Sequence, residues 1–224
     1  MKKILAFVLA MMCVLSLVAC DMSGSIAYDL GNADRAKCFE NTYNNLVEKY
    51  GEAKFENGKL TGVAVVRLVD FTGDGIYELY LAYADGTQDY VNKQMVVGFD
   101  LGSATLIGKD GRHSSQDETP YENITSKASA DAQAPSVWLF KDTAGRGYIV
   151  TGDDLSKSAD YITYITTRGN EDVYSFQVDF TEIDGNEPQG EFEKINFVDI
   201  TEDDAKAVMD ENKKVIDSIS GQVK

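Results

Sequence analysis

The chain has 224 residues, with 37 acidic against 21 basic side chains and a formal net charge of −16. Such a balance excludes nucleic acid and anionic lipid headgroups as electrostatic partners, while it suits divalent cations or basic partners. A single histidine rules out a histidine-based zinc site, which needs a second one. Most of the acidic surplus is read as a solvated surface that keeps the protein soluble.

In chain order, Lys2 and Lys3 precede an uncharged apolar run that closes on Leu17, Val18, Ala19 and Cys20. That layout predicts a signal peptide over residues 1–19, too short to persist as a membrane-spanning helix. The Leu-Val-Ala-Cys ending resembles the lipobox of bacterial lipoproteins. The resemblance implies cleavage before Cys20 and lipid on that residue, hence a protein anchored to the cell membrane on its extracytoplasmic face. Several acyl chains on one residue anchor stably where one chain is marginal. Asp21, next in line, resembles an inner-membrane retention signal of some two-membrane bacteria. Cleavage removes two lysines and Cys13, leaving a balance of 19 basic against 37 acidic residues, −18, and a solitary Cys38. No internal disulfide is then available, so packing alone must hold the fold.

Residues 20–33 are expected to be the lipidated cysteine and a tether. Extended, about 13 such residues reach some 40 Å. A helix is predicted over 34–50, with Phe39, Tyr43, Leu46, Val47 and Tyr50 on one face and Gly51 at its end. Runs rich in Val, Ile, Tyr, Phe and Thr predict strands over 63–69, 76–84, 90–99, 104–107, 136–140, 147–151, 161–167, 173–183 and 192–200. A second helix is predicted over 202–220, capped by Thr201 with Asp204, its stripe formed by Ala205, Val208, Met209, Ile216 and Ile219. The expected class is α+β: a mainly antiparallel sheet, or two sheets, in meanders and hairpins with a helix at each end. Residues 34–224 form a single mainly β domain in this reading, or two related halves divided near the irregular stretch 109–135. The halves are compared through Asp70-Phe71-Thr72-Gly73-Asp74-Gly75 and Asp142-Thr143-Ala144-Gly145-Arg146-Gly147, which share Asp, Gly and Gly. Arg146 stands where the first copy has Asp74, a fixed cation in place of a mobile one.

The first of these stretches carries the most pointed chemistry. Asp70, Thr72 and Asp74 alternate, Gly75 can take the left-handed bend, the Ile76 carbonyl can follow, and Glu78 can complete an oxygen set for calcium. No acid stands at the twelfth position, where Leu81 sits, so an EF-hand is excluded. The stretch resembles the calcium loops of FG-GAP and VCBS repeats in Asp70, Asp74, Gly75 and Leu79. Glu78 stands for their last acid, and Thr72 departs from the pattern. One copy does not make a propeller. The competing reading is a tight turn in which Asp70 and Asp74 accept backbone N–H bonds and Glu78 faces solvent.

Other constellations are poorer. His113 beside Ser114 and Ser115 lacks the glycine pattern of a nucleophile elbow. Acid pairs such as Asp153 with Asp154, or Glu182 with Asp184, serve glycoside hydrolysis only at set separations. Tyr77, Tyr83, Tyr161 and Tyr164 are read chiefly as packing, with a sugar-stacking surface as the other option. The expected function is therefore a lipid-anchored, non-catalytic binding or assembly protein, calcium-stabilised in one version, with an envelope protein or glycan as partner. The alternative is an extracytoplasmic hydrolase acting on polysaccharide or peptide.

Overall fold

The protein is described here from a computed structural model covering residues 28, 30–100, 103–107, 113–114, 136–154, 158–167, 170–179 and 189–223. The expected signal peptide, Cys20 and most of the tether lie outside the described residues, as does 109–135 apart from two strand residues.

Helix α1 (Ala33–Tyr50) starts where the Asn32 side chain accepts the Arg35 N–H at 2.8 Å. It stops at Gly51, whose N–H returns to the Val47 carbonyl. Next comes a hairpin absent from the predicted elements, β1 (Lys54–Glu56) and β2 (Lys59–Thr61). Asn57 and Gly58 have φ of 53° and 74°, the paired positive angles of a two-residue hairpin turn whose twist matches its strands.

Two five-stranded antiparallel sheets follow. The first is the meander β3 (Val63–Val69), β4 (Glu78–Tyr83), β5 (Lys93–Asp100), β6 (Ser103–Ile107) and β7 (His113–Ser114), in that spatial order. The second contains β8 (Ser136–Asp142), β9 (Gly147–Asp154), β10 (Ser158–Thr167), β11 (Asn170–Asp179) and β12 (Gly190–Lys194), in the order β11-β10-β9-β8-β12. The last strand is shorter than its apolar pattern predicts. Asn196 turns its side chain onto the Val137 N–H at 3.1 Å, and Asp199, at φ 57°, swings the chain toward α2 (Glu202–Gln222). Thr201 caps α2 by accepting the Asp204 N–H at 3.1 Å, as its sequence predicts.

Why β3 and β4 read as nearly unbroken apolar runs is now plain: both faces of their sheet are covered. Val66, Leu68, Leu79, Leu81 and Val97 pack under the helices with Phe39, Leu46, Val215 and Ile219. Val65, Tyr80, Ala82 and Val96 point the opposite way, onto Val137, Leu139 and Ile149 of the second sheet. A register shift between Val63 and Val65 lets Val63 and Val66 share the helix side despite their odd spacing.

The Asp70 turn and the cleft between the sheets

The turn that joins β3 to β4 is built on one carboxylate. Asp70 Oδ1 accepts the N–H of Gly73 at 2.7 Å and of Asp74 at 3.2 Å, and Oδ2 accepts that of Gly75 at 2.9 Å. Thr72 Oγ1 donates to Asp70 Oδ1 at 3.5 Å, and Asp74 Oδ1 takes the Ile76 N–H at 2.8 Å. Gly75, at φ 84°, supplies the bend that a side chain would resist. Glu78 does not face solvent. It is 3% exposed, and its Oε2 accepts the Phe71 N–H at 2.9 Å. That bond aims the wholly buried Phe71 ring into the core between the sheets, beside Tyr80, a burial worth about 2 kcal/mol.

The expected calcium ligands Asp70, Thr72, Asp74, Ile76 and Glu78 thus share one turn, but their carboxylates are directed at its own N–H groups. Among the described residues no three Asp, Glu, His or Cys side chains converge as a metal cluster. As folded, the carboxylates of this set serve the turn as acceptors for its backbone dipoles.

The second Asp-Gly stretch has the same local design. Asp142 Oδ1 accepts the N–H groups of Ala144 and Arg146, both at 2.9 Å, and Oδ2 takes the Tyr148 hydroxyl at 3.3 Å. The structure brings the two turns together. The Asp70 carbonyl accepts the Gly147 N–H at 2.9 Å in a parallel bridge that pairs Asp70 with Arg146. Arg146 Nε donates to the Phe71 carbonyl at 3.3 Å, so the cation of one turn lies against the other. Gly147 makes this approach possible: a β-carbon there would stand 2.0 Å from Val69 Cγ1.

Beyond this joint the rims of the two sheets separate, β3 on one side and β12 on the other. Arg67 of β3 spans the gap, with Nε 2.9 Å from Glu193 Oε2 and Nη2 paired to Glu193 Oε1. Its Nη1 donates to the Val66 carbonyl at 2.8 Å and to Asn212 Oδ1 at 2.7 Å. Asn212, on α2, also accepts the Val66 N–H at 2.9 Å and donates to the Ala64 carbonyl at 2.8 Å. Its amide therefore bonds β3 as a neighbouring strand would. The Arg67–Glu193 pair lines two cavities, one of about 260 Å³ toward Tyr28 and Tyr77 and one of about 630 Å³ toward α2. Burial, followed by the Glu193 charge, drives the Tyr80 phenol well above its ordinary range, and Arg67 offsets this only in part. Tyr80 stays neutral and donates to Gln94 Oε1 at 2.7 Å.

Arg67, Glu193 and Asn212 escaped the sequence reading, although a charge inside Val-Ala-Val-Val-Arg-Leu-Val is a visible signal. The other expected groups separate. Tyr83 stacks on Tyr50, Tyr77 meets Tyr28 edge-on, and Tyr161 is buried against Phe140, so these rings pack. His113 and Ser114 form the short strand β7, while Ser115, Glu182 and Asp184 lie outside the described residues. Asp153 and Asp154 end β9, and Cys38 on α1 is a free, half-buried thiol. No family model matches the chain, and neither curated proteins nor solved structures give a match.

Proposed function

We propose that this is a lipid-anchored extracytoplasmic protein that binds or assembles with a partner and carries out no chemistry of its own. The observation that carries the reading is the cleft between β3 and β12. Its central cation is committed to Glu193, Asn212 and a backbone carbonyl, an arrangement suited to holding a shape rather than moving a proton. The acidic balance of the whole chain directs that shape toward basic partners. The anchor rests on Cys20 and the lipobox resemblance.

Radiolabelled palmitate fed to cells expressing the protein, followed by gentle detergent extraction and purification, tests both halves. Label lost on Cys20→Ser and a stoichiometric companion recovered with the wild type are expected. Unlabelled protein that purifies alone and hydrolyses envelope glycan or peptide would overturn the reading. Calcium enters the same proposal as an addition, drawing on Asp70, Thr72, Asp74, the Ile76 carbonyl and Glu78, with Glu78 released from Phe71. A melting midpoint raised by calcium and restored by chelator is the sign to look for; equal midpoints remove the ion.

A further inference from the structure

β12 is the rim of the second sheet, bonded on one side to β8. The Ile195 N–H reaches the Val137 carbonyl at 2.8 Å, and the register carries that phase back to the pairs Glu193 with Leu139 and Glu191 with Lys141. In an antiparallel ladder the intervening residues turn their N–H and C=O groups outward. Phe192 and Lys194 therefore present both groups to the free side, and no described residue bonds them there. Phe192 is 43% exposed, the one large apolar side chain so exposed among the described residues.

The larger cavity runs along this edge, with Phe197 and Val208 as apolar floor and Asp199, Asp204 and Glu211 around it. Arg67 and Glu193 cancel each other, and the three carboxylates, of which Glu211 also pairs with the exposed Lys214 of its own helix at 2.9 Å, face Lys194 as the remaining cation of the lining. Open strand edges invite indiscriminate pairing, and charges on β12 limit it: Glu191 and Glu193 flank Phe192, and Lys194 follows. An incoming strand is welcome when its own charges are positive.

We propose that β12 receives an extended, basic segment of a partner protein, added as a further strand at the mouth of this cavity. Backbone pairing to Phe192 and Lys194 supplies the affinity. A lysine or arginine facing Asp199 and Glu211, and an apolar side chain over Phe192, supply the selection. This inference rests on the binding reading above and names the partner's chemistry.

The test uses the full mature chain in detergent and a fluorescein-labelled peptide of alternating lysine and valine, read by anisotropy. A glutamate-valine peptide and a backbone N-methylated lysine-valine peptide are the controls. Saturable binding of the first peptide alone is expected, weakening as salt rises. Lys194→Pro removes an outward N–H without touching the β8 ladder, and about tenfold weaker binding is expected, whereas Lys194→Ala binds at least as well as wild type. Asp199→Asn with Glu211→Gln also weakens binding about tenfold or more. Asparagine suits the positive φ of residue 199, so this variant retains its turn. Equal binding of lysine and glutamate peptides, no binding of either, or indifference to Lys194→Pro overturns the proposal. If the peptide fails while a membrane companion still co-purifies, the groove falls and the binding reading stands; if both fail, both fall.

Discussion

β3 and β12 are the two strand rims that meet across one cleft, and they treat their outward backbone groups in opposite ways. On β3 the side chains of Asn212 and Arg67 take the Val66 N–H and the carbonyls of Ala64 and Val66. Those groups belong to buried residues, where an unmet bond is expensive. β12 has four of its five residues exposed, so water can serve its edge and protein clamps are not required. The difference teaches that an edge is closed where burial demands it and left open where solvent tolerates it. That separation between a structural rim and an available one can be broken or sharpened experimentally.

The largest effect is expected at Asn212. Replacement by Leu keeps the branched outline of the side chain but strands a buried N–H and C=O of β3 and removes one acceptor of Arg67, costing about 3 kcal/mol of unfolding free energy in urea titrations. A loss below about 0.5 kcal/mol would mean that β3 needs no clamp. Gly147→Ala comes next, because the methyl meets Val69 where the two Asp-Gly turns join. Over-packing there should cost about 2 kcal/mol and raise proteolytic nicking between the sheets. Asp70→Ala removes the acceptor of three N–H groups that water can reach, so about 1 kcal/mol is expected, by analogy with a lost helix cap. Its midpoint measured with and without calcium also separates a backbone cap from an ion ligand. Smallest of all, Lys194→Ala on the open rim should leave stability within about 0.5 kcal/mol of wild type. A larger drop would show that β12 is structurally engaged.

How far these features could be read from the sequence depends on how local they are. Alternation and apolar runs locate most strands and both helices, because burial writes a short period into the chain. The Asp70 turn was legible as a turn or an ion loop, since both demand the same acids and glycines. Burial of Glu78 decides the local geometry, and it follows from Phe71 entering a core that the second sheet completes. The Asn57-Gly58 hairpin was readable and missed; its dipeptide is a strong turn signal. Arg67, Glu193 and Asn212 lie beyond any local pattern, separated by 126 and 145 residues. Even so, Asn212 occupies the buried stripe of α2 with Ala205, Val208, Val215 and Ile219. A polar residue at a core phase of a helix is a request for a distant partner.

The two-sided burial of the first sheet has a bearing on biogenesis. Synthesis proceeds from the amino terminus, so β3 and β4 exist long before α2, which supplies Val215, Ile219 and Asn212 to one face and the rim. Until the final helix arrives, a greasy surface with unmet bonds is open to proteases and to other nascent chains. Premature termination ahead of residue 202 should therefore abolish accumulation of the whole polypeptide, rather than yield a serviceable amino-terminal fragment.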